Sequence, residues 1–174
     1  VGTGKLTITS EKEDGKDTGS LTATGDSGAA GIGGAWSKGA GTIEIAGGNI
    51  TAISPISQSG RNDNDGGAGI GSGAKATGST NTNIIISGGT IVEAVGGTNG
   101  DGIGGSSSNR NNPTTVTISG GTIQKAQGGQ GHGSYDGGSG IHSDGDLTIS
   151  GKAHIVSATG GDGDSSDSRS DAGD

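Results

Sequence analysis

Apolar residues in this chain recur in pairs with a spacing of two, and each pair leads into a small residue and a glycine turn. The stretch TISGGTIQKA from Thr117 has close copies in IISGGTIVEA from Ile85, EIAGGNITA from Glu44 and TISGKAHIVSA from Thr148. A spacing of two places both apolar side chains on one face of a β-strand. Five such pairs, at intervals of 31 to 41 residues, define five repeat units: Leu6/Ile8, Ile43/Ile45, Ile84/Ile86, Val116/Ile118 and Leu147/Ile149.

Two further elements follow each pair. The second element of each unit contains an apolar residue and an alanine. In the first two units these residues are two positions apart, as in Leu21 and Ala23. In the last three units they are three apart, as in Ile91 and Ala94, which predicts a β-bulge with one extra residue. The third element is one isoleucine between small residues, as in AAGIGG from Ala29, and the fifth unit has GDGD there instead.

Three short strands with one or two inward aliphatic side chains each cannot bury a core within one unit. Stacked in register, equivalent strands pair and their isoleucines form continuous internal columns. The sequence therefore predicts an all-β fold, a right-handed parallel β-helix (β-solenoid) of about five coils with three short strands each. We assign residues 1–161 to this β-helix and residues 162–174 to an acidic, flexible C-terminal tail.

Composition alone would favour disorder, because 43 of the 174 residues are glycine and Leu, Ile and Val make up about 15% of the chain. The fixed offsets of isoleucine from glycine argue against a disordered linker. The absence of cysteine excludes disulfides and thiolate metal sites. A net charge of −8 disfavours nucleic-acid binding, and no apolar run approaches the roughly 20 residues of a membrane span.

Acidic residues gather in glycine-rich turns, where several oxygen atoms can converge on one ion. Calcium prefers six to eight oxygen ligands, so these turns suggest Ca²⁺ sites. The alternative is that Asp and Asn occur there because they are favourable turn residues. The candidate metal ligands are Asp63, Asp65, Asp144, Asp146, Asp162 and Asp164.

The single tryptophan and the single tyrosine, Trp36 and Tyr135, lie beside or within glycine-rich corner loops, and His132 is close to Tyr135 in sequence. Exposed rings in such loops can stack on sugars, so we take these three residues as candidate carbohydrate-binding residues. The alternative is that each ring covers an apolar corner or an end of the stack. Loops from equivalent corners are expected to gather along one side of a solenoid.

Catalysis and ice binding have less support in the sequence. No set of nucleophile, histidine and acid is evident, so we expect the chain not to be an enzyme. Outward threonines such as Thr7 and Thr117 suggest an ice-binding lattice. The equivalents of Thr7 in the second and third units are Glu44 and Ile85, which interrupt that lattice.

The segment SGIHSDGDLTISG, from Ser139 to Gly151, resembles repeats of bacterial, notably clostridial, surface proteins built as polysaccharide-lyase-like right-handed β-helices. The resemblance implies calcium and carbohydrate binding without a firm catalytic role, and it marks Asp144 and Asp146 as the preferred metal ligands. The glycine-isoleucine repeats also look like low-complexity repeats of large Gram-positive surface proteins, where they space other domains.

The predicted function is a non-enzymatic extracellular or cell-surface module that binds a polysaccharide or cell-wall glycan, with Ca²⁺ steadying some turns. The alternative is a structural stalk or self-assembling element of a surface protein or filament. Its coils would associate through the open ends of the solenoid, which present unpaired strand edges. An ice-binding protein is a third possibility.

Overall fold

The computed structural model describes residues 4–26, 28–56, 65–77, 81–106, 113–133, 136–164 and 173. Over these residues the protein is all-β, with seventeen strands numbered here in chain order and no helix. The strands form three parallel sheets and one small antiparallel hairpin. No helix in the described part of the chain has the length and apolar character that a membrane span requires.

Sheet A collects the first strand of every repeat unit. Its members, in spatial order, are β1 (Lys5–Ile8), β6 (Gly41–Ile45), β9 (Thr82–Ile86), β12 (Thr114–Ile118) and β15 (Leu147–Ile149). The register aligns the five predicted apolar pairs into two columns, one beginning at Leu6 and the other at Ile8. The predicted strand positions and their stacking in register are therefore confirmed.

Sheet B collects the second element of every unit. Its strands are β4 (Ser20–Thr24), β7 (Asn49–Ile53), β10 (Thr90–Val95), β13 (Thr122–Ile123), β14 (Ala126–Gln127), β16 (His154–Ile155) and β17 (Ala158–Thr159). The pairing of β10 with β7 shifts register between Ile91 and Glu93, so the predicted bulge is present. The extra residue, Val92, is 39% exposed. In the last two units the same irregularity divides the element into two short strands.

Sheet C contains β5 (Ile32–Gly33), β8 (Ile70–Gly71) and β11 (Ile103–Gly104), and Ile141 of the fourth unit adds a single parallel bridge to Ile103. The glycine that follows the isoleucine in each of the three strands has a positive φ, which is +142° at Gly71. A Cβ atom on Gly71 would lie 1.9 Å from the Gly104 carbonyl oxygen, which no side chain tolerates. Backbones of successive units therefore approach closely at this corner, and only glycine fits between them.

The inward faces of the three sheets pack into one hydrophobic cluster. Its central isoleucines, such as Ile45, Ile84 and Ile103, are at most 1% exposed. Deleting most of such a buried isoleucine side chain destabilises a protein by about 2–5 kcal/mol. The columns end in exposed apolar side chains, since Leu6 of the first unit and Ile149 of the last are 46% and 50% exposed.

A short antiparallel hairpin, absent from the sequence interpretation, extends from the corner between sheets A and B in the first unit. It pairs β2 (Lys12–Glu13) with β3 (Lys16–Asp17) across a two-residue turn at Asp14 and Gly15. Both turn residues have positive φ, +50° and +76°. The dipeptide Asp-Gly is a strong sequence signal for a tight hairpin turn, so Asp14 and Gly15 could have predicted this hairpin.

We expect Gly71→Ala to lower the free energy of unfolding by about 3 kcal/mol or more, because the new methyl group adds a clash to the cost of an unfavourable backbone conformation. Gly133→Ala is the matched control, since Gly133 has φ +69° and no atom within 4 Å of a built Cβ. The control should lose about 1–2 kcal/mol. Urea unfolding followed by circular dichroism measures both, and equal losses would contradict the close approach at Gly71.

Candidate functional site

The loops that follow sheet B stack on one another along one side of the protein. The amide of Gly66 donates to the Thr98 carbonyl at 2.6 Å, and that of Gly131 donates to the Asp162 carbonyl at 2.7 Å. This confirms, for the described residues of units two to five, that equivalent loops gather on one side. We call this surface the loop face, and it comprises residues 54–56, 65–67, 96–100, 128–133 and 160–164.

A groove of about 530 Å³ lies on the loop face. Its floor includes Ile53, Val95 and Gln127, which occupy one register column at the ends of three stacked strands. The following loops supply Ile56, which is 73% exposed, and His132. The groove therefore combines apolar surface with amide and imidazole groups, as binding sites for small polar organic ligands do.

A buried polar network beside the groove holds the loop that carries His132. Asn99 is fully buried, and its Nδ2 donates to Oδ1 of Asp65 at 2.5 Å. The backbone amide of His132 donates to Oδ1 of Asn99 at 2.7 Å. Asn99 has φ +60°, a conformation that asparagine tolerates better than most residues. Both ends of this one amide side chain are thus used to join loops of three successive units.

The same network extends to the first unit through Lys75 and Trp36. The Lys75 ammonium lies 3.4 Å from Oδ2 of Asp65 and 5.7 Å from the centroid of the Trp36 ring. The six-membered part of the Trp36 indole packs on Gly28, where a Cβ atom would lie 2.1 Å from Cε3. Trp36 and His132, two of the predicted sugar-binding residues, therefore belong to one connected set of contacts. The third, Tyr135, lies outside the described residues.

Asp144 and Asp146 lie in the turn before β15, at the end of sheet A rather than on the loop face. Oδ2 of Asp144 accepts a hydrogen bond from the Thr114 amide at 2.7 Å, and its Oδ1 is 3.5 Å from Nε2 of His142. Asp146 is exposed, and its carbonyl accepts from the Ser143 hydroxyl at 3.1 Å. The turn thus carries two carboxylates two positions apart in sequence, and that of Asp144 is already engaged by protein groups.

Of the other candidate metal ligands, Asp65 belongs to the buried network and Asp63 lies outside the described residues. The exposed Asp162 accepts through its carbonyl, and Oδ2 of Asp164 accepts from the Gly133 amide at 2.9 Å. The first residues assigned to the tail are therefore part of the loop face and accept hydrogen bonds from the preceding loop, at Gly131 and Gly133. Nowhere in the described ranges do three His, Asp or Glu side chains form a group suited to a metal ion.

Asp101 is a buried acid that the sequence interpretation did not single out. It is 4% exposed, and its two carboxylate oxygens accept from the Gly105 amide at 2.6 Å and the Ser139 amide at 2.8 Å. Burial raises the pKa of this carboxyl above its ordinary value, although nearby His142 and the two amides oppose the increase. The repeat alignment could have indicated that Asp101 is buried, because Ala30 and Ala68 occupy the equivalent position in the first two units and both are buried.

Comparisons of the chain with protein-family models, with curated proteins and with solved structures found no match. The resemblance of residues 139–151 to clostridial surface repeats therefore stays a prediction. What bears on function is the chemistry of the loop face and of the exposed ends of the sheets.

The raised pKa of Asp101 predicts a specific pH dependence of stability. The folded state binds this proton more tightly than the unfolded chain, whose carboxyl titrates near 3.8. The stabilising contribution is thus fully present below that pH and is lost as the pH rises through the folded pKa. Relative to Asp101→Asn, which does not titrate, the wild-type protein should lose stability over this range in urea unfolding.

Asp101→Asn should also be less stable than the wild type across the pH range, by about 1–3 kcal/mol, because one buried amide loses its acceptor. Asp146→Asn is the control, since that carboxylate is exposed. A stability difference between wild type and Asp101→Asn that stayed constant with pH would contradict the raised pKa.

Proposed function

We propose that the protein is a right-handed parallel β-helix that acts as a non-enzymatic, extracellular carbohydrate-binding or adhesion module. Three parallel sheets around one hydrophobic cluster support the first part of this proposal. Each of the first three units adds one strand to every sheet, as the coils of a β-helix do. The right-handed winding follows from the strong general preference of parallel crossover connections.

The groove on the loop face is the observation that carries the proposed binding function. A polysaccharide chain is extended, with apolar faces on its sugar rings and hydroxyl groups at their edges. The side chains of Ile53, Ile56 and Val95 offer apolar contact, whereas Gln127 and His132 offer hydrogen-bonding groups for hydroxyls. Because this lining comes from successive stacked units, the groove follows the stacking direction and suits an extended ligand.

The rigidity of the groove also supports binding. The His132 loop is tied through Asn99 to Asp65, and Asp65 is paired with Lys75. A binding site that is already ordered loses less conformational entropy when its ligand binds. The Trp36 ring is held beside this network by Gly28 and Lys75, and it provides an aromatic surface for a sugar at the first unit.

Binding without cleavage is the proposal that best agrees with the lining of the groove. Hydrolysis of a glycoside ordinarily requires two carboxyl groups on either side of the scissile bond. Among the described residues that line the groove, His132 is the only titratable one. The net charge of −8 further favours a neutral glycan over an anionic one such as a polyuronate.

We expect His132→Ala to weaken retention on an insoluble neutral polysaccharide by roughly tenfold, the effect of losing one to two hydrogen bonds to the sugar. His154→Ala is the matched control, because His154 is exposed on sheet B and does not line the groove. Sedimentation of the protein with a panel of insoluble glycans measures retention. Equal retention of the two variants on a glycan that binds the wild type would place the binding site elsewhere.

Calcium remains part of the proposal, with Asp144 and Asp146 as its ligands. These two carboxylates flank one glycine turn, and Asp146 is exposed. By contrast, Asp65 already has an ammonium group close to its carboxylate. When bound, the ion would supply positive charge that steadies the turn before β15, and water would complete its coordination shell.

Calcium is therefore expected to raise the midpoint of thermal unfolding, and Asp144→Asn/Asp146→Asn should abolish that increase. The matched control is Glu11→Gln/Glu13→Gln, which removes two exposed charges from the hairpin region instead. Differential scanning calorimetry in calcium and then in excess chelator makes the comparison. An unchanged wild-type midpoint in calcium would remove calcium from the proposal.

A structural stalk is the second candidate, supported by the apolar side chains exposed at both ends of the sheets. A stalk has no need of a groove, so the His132 variant would not alter its function. Ice binding has weaker support. The outward column of sheet A reads Thr7, Glu44, Ile85, Thr117 and Thr148 in the observed register, so its threonines do not form a continuous row.

A further inference from the structure

Both ends of sheet A and the first-unit end of sheet B present exposed apolar side chains in the described part of the chain. In the first unit Leu6 and Leu21 are 46% and 38% exposed, and in the last unit Leu147 and Ile149 are 44% and 50% exposed. Ile32, at the corresponding edge of sheet C, is only 5% exposed. Exposure at the ends is thus concentrated in the two sheets that run through all five units.

The exposed residues lie on strands that pair on one side only within the described chain. β1 and β15 are the two edges of sheet A, and β4 and β16–β17 are the two edges of sheet B. An edge strand presents unpaired amide and carbonyl groups that can pair with another chain. Each end therefore combines open backbone hydrogen-bonding positions with an uncovered apolar column.

We propose that copies of this chain associate head to tail, with the fifth unit of one copy stacked in register on the first unit of the next. The register that pairs β12 with β15 then continues into β1 of the next copy. Leu147 packs on Leu6 and Ile149 packs on Ile8, just as each internal pair packs on its neighbour. The isoleucine columns become continuous across the junction and their exposed ends are buried.

Charge at the two ends is complementary in this arrangement. Lys5 heads an outward column of sheet A that continues through Thr42, Asn83 and Thr115. Asp146 directly precedes Leu147, so it continues that column beyond Thr115. Stacking in register therefore places Asp146 beside Lys5 of the next copy. Within one copy Lys5 already pairs with Glu44 at 2.5 Å, so its ammonium would lie between two carboxylates.

Sheet B can continue across the junction even though its two end strands differ in shape. The last unit has the extra residue of the bulge, whereas β4 has none. The protein already contains such a mixed pair, because the bulged β10 pairs with the regular β7 through a single register shift. Ile155 then stacks on Leu21 in the same manner. Because the two contacting ends are different surfaces, repeated addition gives an open filament unless the rotation closes a ring.

Disulfide trapping tests this register directly, since the chain contains no cysteine. Thr7 and Thr148 occupy the same outward column, at opposite edges of sheet A. Within one copy, four strand spacings separate them by about 19 Å, which no disulfide can bridge. Across the proposed junction they are direct neighbours, about 4.8 Å apart. Oxidised Thr7→Cys/Thr148→Cys should therefore form a ladder of dimers, trimers and larger species that reductant removes.

Three cysteine variants serve as controls, each checked for native circular dichroism. Thr7→Cys/Thr117→Cys should give no ladder, because β12 is paired on both sides inside the sheet. Thr7→Cys and Thr148→Cys alone should stay monomeric on oxidation. Efficient dimers from either single variant would indicate a two-fold contact between like ends and overturn the proposal. So would a folded Thr7→Cys/Thr148→Cys variant that stays monomeric.

A charge exchange tests the same junction without cysteine. Asp146→Lys should weaken association by roughly fivefold in sedimentation velocity, the effect of one surface ion pair. Adding Lys5→Glu should restore association, whereas a general effect on stability would not be repaired by a second substitution. Failure of the second substitution to restore association would contradict the pairing. The proposal does not rest on glycan binding, so His132→Ala should leave the disulfide ladder unchanged.

Discussion

Stacking of identical isoleucines in register is the interaction on which the rest of this structure depends. The protein has one tryptophan, one tyrosine and no phenylalanine, so large rings contribute little to its core. Columns such as Ile43 on Ile84 recur at the strand spacing, where β-branched side chains fit against their own copies. Each unit buries its apolar residues only when a neighbour covers them, which makes the register between units the main determinant of stability.

This stacking also dictates the corners. Strands one spacing apart bring successive corner backbones into direct contact, and a Cβ atom at Gly71 would meet a neighbouring carbonyl. A high glycine content therefore reflects close packing at these corners, although composition alone suggests disorder. The described parts of the loops that follow sheet B stack on one another and form the loop face and its groove. Among the described residues, the outer strands β1 and β15 pair on one side only, so apolar side chains of the first and last units are exposed.

Buried polar groups on the loop face have a different role from the isoleucine columns. Asp65, Asn99 and Asp101 are each at most 4% exposed, and each makes hydrogen bonds or ion pairs to another loop. Burying polar groups is unfavourable unless partners replace water, so these contacts select one arrangement of the loops. The contacts of Asp65 and Asn99, together with Lys75, connect Trp36 with His132 across four units. The proposed binding surface is thus a consequence of loop order rather than of the core.

The sequence alone determined the apolar columns, the bulge in the later units and the glycine corners, because these features repeat and depend on local spacing. It also located Trp36, His132 and the acidic turns, without their environments. Only the tertiary structure showed that Asp65 pairs with Lys75, that Asn99 joins three loops and that Asp101 is buried. The contacts of Asn99 and the contact of Asp101 with Ser139 join residues 33 to 38 positions apart, and Asp65 and Lys75 lie ten positions apart in one unit. No periodic pattern encodes these contacts, because they join irregular loops whose positions depend on the stacking of the units.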